Sequence, residues 1–232
     1  FYKIFIRLLY PRAWKIKVNS EENKVSLASY LSIPKDKIVS IYNPIDLEKI
    51  KSHHINKEIQ EQVLGKARGK KVFTTVWRLV WQKRHIKILE AFRILKEGGR
   101  DDFYYMIIGD WPEREKLETF VNTHGLWENI IFMWSQSDVM SYLKLSDYFV
   151  YASDIEWFPN VLTEAIAVWV PIITSLFKTW AVEAILAEYD ENMQYKRWDF
   201  PIEWPNWFLL DKQRFEENFL ALYPRLLEKQ FQ

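Results

Sequence analysis

The chain of 232 residues has no cysteine and few glycines, and it carries almost no excess of either charge. Without cysteine it forms no disulfides and no thiolate metal site, so a reducing compartment fits. No apolar run reaches the roughly 18 residues of a membrane-spanning helix. The 32 basic and 31 acidic residues leave a formal net charge of +1, which argues against a dedicated nucleic-acid-binding protein. These absences together predict a cytoplasmic protein.

The scarcity of glycine is matched by an excess of tryptophan: the chain has 6 glycines and 12 tryptophans. Several tryptophans lie in tight turns, where glycine is usual because it adopts positive φ and permits close backbone approach. These turns contain Trp77, Trp111, Trp157 and Trp169; Trp134 and Trp180 are also interpreted as glycine positions, and by extension so are Trp127, Trp198 and Trp207. The exchange suggests a decoding artefact, in which UGA codons that encode glycine are translated as tryptophan. Deliberate engineering is the alternative.

From Lys71 onward, short apolar runs alternate with amphipathic segments. Continuous apolar strands that alternate with helices are typical of a parallel α/β sheet with helices on both faces. Ligands of such sheets bind outside the carboxyl ends of the strands. The predicted strands are Val72–Val76, Phe103–Ile108, Ile130–Met133, Tyr148–Ala152, Ile172–Ser175 and Phe208–Leu210, and the predicted helices include Ile86–Lys96, Pro112–Thr123, Asp138–Leu145 and Val161–Ala167.

The amino-terminal residues have a different pattern. Residues 1–17 combine aromatic, aliphatic and basic side chains, which favours a core helix of a missing domain; an amphipathic helix at a membrane surface is the alternative. Next come a predicted strand, a helix capped by Ser20 and a strand at 37–42. Because the chain does not begin with Met, we expect a fragment whose upstream part is missing. The predicted domains are residues 1–42, the end of an amino-terminal domain; residues 43–212, a Rossmann-like domain; and residues 213–232, a carboxyl-terminal helix.

Charged residues follow the first two predicted strands of the main sheet. Arg78 and Lys83 come after the first strand, and a guanidinium with an ammonium group suits a diphosphate. A solvated basic loop is the alternative. Gly109 and Asp110 end the second strand and precede Pro112, which suits a first helical turn. The start of that helix is positioned to meet an anion or a polar edge.

Glu156 and Glu164 flank a segment that opens another predicted helix. The backbone N–H groups of residues 160–162 would lie in its first turn and be free to bind phosphate. Glu164, one turn further on, would accept hydrogen bonds from ribose hydroxyls. The alternative is an acidic helix start that complements the helix dipole. The spacing and the strand–loop–helix setting favour the binding site.

As an ordered set, the segments from Asn43 to Leu186 resemble the carboxyl-terminal half of a GT-B glycosyltransferase of family 4, the glycosyl transferases group 1. The similar motifs are Asn43-Pro44-Ile45-Asp46 (N-x-hydrophobic-D), Trp77-Arg78-Leu79 with Gln82-Lys83 (G-R-L and x-K), Gly109-Asp110-Trp111-Pro112 (G-D-G-P), Glu156 to Glu164 (E-x7-E) and Val168-Trp169-Val170-Pro171 (x-G-x-P). The resemblance implies a retaining enzyme that transfers a sugar from a nucleotide-sugar donor to a glycan or lipid-linked acceptor. It also implies that neither a metal nor a cofactor is needed.

The resemblance implies roles for individual residues. Arg78 and Lys83 would hold the donor diphosphate and stabilise the leaving group, and Glu156 would bind the sugar hydroxyls; these are the catalytic candidates. The donor-binding candidates are Arg78, Lys83, Asp110, Glu156, Phe158, Pro159, Asn160, Val161, Leu162 and Glu164. The loop at 132–135 is a candidate for base contacts. His85 and His124 are expected to be exposed and without a catalytic role.

The expected partners are the nucleotide-sugar donor, the acceptor and the missing amino-terminal domain. A peripheral contact of the protein with the inner face of the plasma membrane is a further expectation. We expect the fragment alone to be inactive, because catalysis needs the cleft between two domains. Trp77 and Trp157 are expected to crowd the donor pocket. Three alternatives stay open: a non-catalytic nucleotide-sugar-binding module, a GT-B nucleotide-sugar epimerase, and a structural or interaction domain.

Overall fold

The computed structural model describes residues 2–77, 80–110, 112–154, 159–175, 202–204 and 207–228. These residues divide into two compact units. The first unit holds residues 2–45 together with Pro159 and Asn160, and the second holds residues 46–154, residues 161–175 and the described residues from 202 onward.

The first unit contains a small β-α-β arrangement. Its elements are α1 (Tyr2–Leu9), a 3₁₀ turn (Tyr10–Arg12), β1 (Ile16–Val18), α2 (Glu21–Leu31), a second 3₁₀ turn (Lys35–Lys37) and β2 (Ile38–Ser40). Strands β1 and β2 pair in parallel, and Ala28 and Leu31 of α2 are buried with them. The Ser20 hydroxyl accepts a hydrogen bond from the Asn23 N–H at 3.1 Å, which confirms the predicted cap of α2.

Helix α1 presents apolar side chains to solvent within the described part of this unit. Ile4, Phe5, Leu8 and Leu9 are each more than half exposed, while Arg7 stacks over the Tyr30 ring at 4.8 Å. Nowhere in the described residues is a helix both long and apolar enough to cross a bilayer. Both interpretations of residues 1–17 stay predictions.

The second unit is built on a large sheet. In chain order the remaining elements are α3 (Leu47–Ser52), α4 (Lys57–Ala67), β3 (Lys71–Val76), a 3₁₀ turn (Trp81–Lys83), α5 (His85–Glu97), β4 (Phe103–Ile108), α6 (Arg114–Thr123), β5 (Ile130–Met133), α7 (Val139–Lys144), β6 (Tyr148–Tyr151), α8 (Asn160–Ala167), β7 (Ile172–Ser175), β8 (Ile202–Trp204), β9 (Trp207–Leu210) and α9 (Phe215–Glu228). The strand order is β5-β4-β3-β6-β7-β9-β8. All pairs except β8–β9 are parallel, so the predicted parallel sheet is confirmed.

Strand β8 adds an antiparallel edge that the sequence pattern does not predict. It pairs with β9 in the register Ile202 with Leu209 and Trp204 with Trp207. Two residues separate these strands in the sequence. Such a connection suits a hairpin, whereas a parallel neighbour needs a crossover of a dozen or more residues.

Alternating side chains of the central strands bury both faces of the sheet. On one face, Phe73 and Tyr105 belong to a cluster with helices α5, α6 and α9, and Phe73 packs edge to face on Phe92 of α5 at 5.2 Å. On the other face, Val72 and Tyr104 cluster with side chains of α4 and α7. This alternation follows from the two-residue period of a strand, and it confirms the prediction of helices on both faces.

Two details of the helices differ from the sequence-based expectations. Helix α6 begins at Arg114, so Pro112 lies ahead of its first turn. His85, expected to be exposed, is only 1% exposed, because it opens helix α5, whose apolar side packs against the sheet. His124 is exposed as expected.

The strand order creates a switch point at the centre of the sheet. From β3 the chain proceeds outward through β4 to β5, and from β6 it proceeds in the other direction to β7 and β9. Strands β3 and β6 are therefore neighbours from which successive crossovers diverge. In open α/β sheets the crevice at the carboxyl ends of such a pair is the usual ligand site.

Candidate functional site

Lys83 lies in the 3₁₀ turn that follows β3, on one side of the switch point. It is only 7% exposed, and its Nζ atom lies 4.0 Å from the centroid of the Trp77 ring. That indole also meets Tyr151 of β6 edge to face at 5.7 Å. A cation over an indole face is attracted by the ring quadrupole, so the indole fills space that a ligand of the ammonium group would need. This arrangement agrees with the expectation that Trp77 crowds the pocket.

The Trp77 indole is packed against its neighbours at this position, but its N–H group lacks a hydrogen bond among the described residues. Its Nε1 atom is buried, and no hydrogen-bond partner for it is found in the described part of the chain. A buried donor without a partner costs about 1–3 kcal/mol. The indole therefore fits this crevice poorly.

Gly109 shows why glycine is required where β3 and β4 end. Its φ is +145°, and a Cβ atom placed on it would lie 1.9 Å from the Trp77 carbonyl oxygen. The two strand ends are held at this separation because the Trp77 N–H donates to the Ile108 carbonyl at 3.0 Å. A side chain at position 109 is therefore incompatible with the crossing of these backbones.

The left-handed backbone expected at the tryptophan turns is found at Trp169. Its φ is +62°, and its side chain is 79% exposed. The Trp169 N–H donates to Ile166 and the Val170 N–H to Ala165. These bonds make a Schellman motif at the end of α8, in which the left-handed residue is usually glycine.

At Trp77, the other described tryptophan of these turns, φ is not positive, so the expectation of a left-handed backbone is wrong there. Trp127, Trp134 and Trp207 are interpreted as glycine positions without that expectation, and their φ angles are not positive either. At Trp77 the reason for glycine is space rather than backbone angle, as the crowded crevice shows. Four further positions, Trp111, Trp157, Trp180 and Trp198, lie outside the described residues.

Glu164 lies in the helix that follows β6, on the other side of the switch point. Its carboxyl group is about half-buried, and this burial raises its pKa above the ordinary value. Within the described residues, no hydrogen bond or ion pair involves this carboxylate. A carboxyl group whose pKa is raised by burial is typical of functional sites.

The residues that open α8 differ in what they offer a ligand. Pro159 is buried and Asn160 is exposed. Val161 and Leu162 are 4% and 0% exposed and belong to the core, so only their backbone N–H groups are suited to bind a ligand. The first N–H groups of a helix have no acceptor within it, which favours anions there.

Asp110 follows β4 and lines a separate cleft of about 340 Å³ with Pro112, Arg114 and Trp134. The guanidinium carbon of Arg114 lies 3.0 Å from the centroid of the Trp134 ring, and its Nη1 atom is 4.0 Å from the Asp110 carboxylate. The cleft thus combines an acid, a cation and an aromatic ring at the carboxyl ends of β4 and β5. It includes one residue of the predicted base-contact loop, Trp134.

Three predicted site residues, Arg78, Glu156 and Phe158, lie outside the described residues. Their assignments, and those of Lys83, Asp110, Pro159, Asn160, Val161, Leu162 and Glu164, stay predictions. The topology brings the turn with Lys83 and the helix with Glu164 to neighbouring strands.

An ion cluster that the sequence does not indicate lies at the same edge of the sheet. Asp154, just after β6, accepts hydrogen bonds from Arg84 Nε at 2.5 Å and from Lys212 Nζ at 2.9 Å. Burial alone would raise the pKa of Asp154, but the hydrogen bonds from the two cations outweigh it and lower the pKa. Arg84 adjoins Lys83 in the sequence, whereas Lys212 is 58 residues from Asp154. No local pattern indicates that partner.

Comparison with known proteins places this architecture in a defined class. The Anabaena protein HepE, solved in complex with UDP and glucose, superposes with a TM-score of 0.75 at 17% identity, over 99% of this chain and 58% of that one. WaaG, a glycosyltransferase involved in lipopolysaccharide biosynthesis, gives a TM-score of 0.68 at 16% identity, over 93% and 54%. These similarities show that the fold is that of the GT-B glycosyltransferases.

The sequence narrows this class to one family. Residues 56–189 match the family described as Glycosyl transferases group 1, and the chain belongs to that family. It is 29% identical over 202 residues to a Campylobacter jejuni N-acetylgalactosamine-N,N'-diacetylbacillosaminyl-diphospho-undecaprenol 4-alpha-N-acetylgalactosaminyltransferase, covering 84% of this chain and 52% of the relative. It is 31% identical over 163 residues to an Escherichia coli UDP-Gal:alpha-D-GlcNAc-diphosphoundecaprenol alpha-1,3-galactosyltransferase, covering 69% and 42%. The chain thus spans about half the length of these relatives.

Proposed function

We propose that this chain is the donor-binding part of a retaining glycosyltransferase that moves a sugar from a nucleotide-sugar donor to a glycan or lipid-linked acceptor. One observation carries the proposal. A buried lysine, Lys83, and a half-buried glutamate, Glu164, whose carboxylate has no partner among the described residues, lie on elements that follow the two strands of the switch point. That crevice is where doubly wound sheets bind nucleotides. Protein cations there would replace a metal in neutralising the diphosphate.

In this proposal Lys83 contacts the diphosphate, because an ammonium group forms charge-assisted hydrogen bonds to phosphate oxygens. Glu164 accepts hydrogen bonds from the ribose hydroxyls, since a carboxylate oxygen accepts more than one. Arg78 and Glu156 keep their proposed roles at the leaving group and the sugar hydroxyls. Asp110 and the residues from 158 to 162 complete the donor site.

The relatives support the substrate classes. The names of the Campylobacter and Escherichia relatives contain a diphospho-undecaprenol acceptor, and the Escherichia name contains UDP-Gal as donor. HepE was solved with UDP and glucose. UDP is therefore the first probe for the donor site. The cytoplasmic face of the membrane is the place where a lipid-linked acceptor and a nucleotide sugar would meet.

Calorimetric titration of UDP, GDP and ADP tests the donor site, in the unaltered chain and in the Trp77→Gly variant. Removing the indole should strengthen nucleotide binding, because the space that it occupies beside the Lys83 ammonium group becomes available to the diphosphate. A gain of about tenfold in affinity corresponds to about 1.4 kcal/mol. Lys83→Ala is then added to whichever of these two chains binds UDP. It should weaken UDP binding about tenfold or more, since a hydrogen bond to a charged group contributes about 1.5–3 kcal/mol.

Lys66→Ala is the matched control, because Lys66 is exposed on α4 beside a different pocket of the second unit. It should leave UDP affinity unchanged. Failure of every nucleotide to bind in both backgrounds would remove the proposed donor site. Equal effects of the Lys83 and Lys66 substitutions would remove the proposed role of Lys83.

Transfer itself is tested with the chain fused behind the amino-terminal half of the Campylobacter relative. A transferase should release UDP in proportion to glycosylated acceptor, and NMR of the product should show the donor's anomeric configuration. Nucleotide release without acceptor, together with a changed sugar, would favour the epimerase. Tight donor binding with no turnover would favour the non-catalytic module.

A further inference from the structure

Asp154 contacts the residues on either side of Lys83. Its backbone N–H donates to the Gln82 carbonyl at 2.8 Å, and its carboxylate accepts from Arg84 Nε at 2.5 Å. Gln82 and Arg84 are the sequence neighbours of the buried lysine. The end of β6 thus holds the turn that follows β3 at two points.

The same edge of the sheet supports this contact from further strands. The Ser153 hydroxyl donates to the Gln82 carbonyl at 3.2 Å, and the Ser153 N–H donates to the Ser175 hydroxyl of β7 at 3.2 Å. Lys212, which follows β9, donates to both the carboxylate and the carbonyl oxygen of Asp154 at 2.9 Å. The position of Asp154 is therefore set by neighbouring strands.

The backbone of Arg84 indicates that the ion pair has a positioning effect. Arg84 has a φ of +45°, and this left-handed conformation is unfavourable for a residue with a side chain. In this conformation its guanidinium meets a carboxylate that is only 13% exposed. The ion pair offsets the strain and fixes the end of the 3₁₀ turn. Strain retained beside a ligand crevice is typical of pre-organised sites.

We infer that Asp154 is a positioning residue for donor binding: by holding Gln82 and Arg84 it fixes the Lys83 ammonium group where the donor diphosphate binds. The inference rests on the proposed function and goes beyond it, since Asp154 itself need not touch the donor. Lys212 orients the Asp154 carboxylate and balances its charge, because a buried carboxylate needs its charge compensated. Loss of the carboxylate should therefore weaken diphosphate binding while leaving nucleoside binding intact.

The experiment compares UDP with uridine as probes in two matched variants, prepared in the Trp77→Gly background and in the unaltered chain. Asp154→Asn removes the charge and keeps the side-chain size. Asp147→Asn is the control: Asp147 precedes β6 at its opposite end, and it forms a comparable ion pair with Lys71 at 3.1 Å and a hydrogen bond with the Val72 N–H at 2.8 Å. Calorimetry and ligand-observed NMR give the affinities, and thermal unfolding gives the stabilities.

We expect both variants to lower the melting temperature, whereas only Asp154→Asn should weaken UDP binding, by about tenfold, with uridine affinity unchanged. Asp154→Glu should restore part of the UDP affinity, because it restores the charge. UDP binding that responds equally to the two asparagine variants would overturn the positioning role alone. Equal losses for UDP and uridine would also overturn it. Absence of UDP binding in both parent chains would remove the donor site, and this inference with it.

Discussion

The backbone at Trp169 allows a direct test of whether tryptophan stands at a glycine position. Trp169 is the left-handed residue of the Schellman motif that ends α8, with a φ of +62°. Two substitutions, Trp169→Gly and Trp169→Ala, both remove the indole, which is already 79% exposed. Their stabilities therefore differ mainly through the backbone rather than through lost packing.

The magnitude follows from two opposing terms. Alanine in the left-handed region costs about 1–2 kcal/mol, whereas glycine costs about 0.5–1 kcal/mol of chain entropy relative to alanine. Trp169→Gly should therefore be more stable than Trp169→Ala, by about 0.75 kcal/mol at the centre of these ranges. In the corresponding pair at Trp134, whose φ is not positive, alanine should be the more stable by about 0.5–1 kcal/mol.

Denaturant unfolding of the four variants measures these differences. The stability of the glycine variant minus that of the alanine variant is calculated at each position. Subtracting this difference at Trp134 from the difference at Trp169 cancels the chain-entropy contribution and leaves the penalty for a left-handed backbone, about 1–2 kcal/mol. In thermal unfolding this penalty corresponds to a difference in melting temperature of about 2–8 °C for a chain of this size. If alanine is the more stable residue at both positions, the backbone at Trp169 imposes no preference for glycine, and this turn is not a glycine position.

Three further outcomes are expected from the structure. Gly109→Ala should destabilise the second unit by about 1–3 kcal/mol or more in urea unfolding, because the added Cβ atom would lie 1.9 Å from the Trp77 carbonyl oxygen. An unfolding free energy equal to that of the parent chain would contradict the close crossing of the two backbones. UDP affinity, measured by calorimetric titration, should fall as the pH drops through the raised pKa of Glu164, because protonation removes an acceptor for the ribose hydroxyls. Glu164→Gln should abolish that part of the pH dependence. A pH profile that the substitution leaves unchanged would count against the role of Glu164. Tyr148→Phe should lower the free energy of urea unfolding by about 1–3 kcal/mol, because the buried Tyr148 hydroxyl donates a hydrogen bond to the Leu226 carbonyl at 2.6 Å. An unchanged unfolding free energy would show that water satisfies that carbonyl.

Much of the fold was predictable because it is encoded in local patterns. The run at 103–108 is apolar throughout and forms β4, whose residues are all buried, since a strand covered on both faces has no polar side. Ser20 was predictable as a cap because a cap is satisfied within three residues of the chain. The family was recognisable because its motifs occur in the expected order at the ends of these strands.

Other features depend on residues far apart in the sequence, and no local pattern specifies them. The antiparallel pairing of β8 and the burial of His85 depend on what packs beside them. The position of the Trp77 indole against Lys83 depends on the shape of the crevice between β3 and β6.

The sequence by itself determined the alternation of strands and helices, the parallel sheet and the strand ends at which the candidate residues lie, because periodicity and caps act over a few residues. Only the tertiary structure decided that Asp154 holds the neighbours of Lys83 and that Lys212 compensates its charge. The physical reason is that strand order and register bring these side chains together from distant parts of the chain, and the free energy of a partly buried ion pair exists only once that packing has formed.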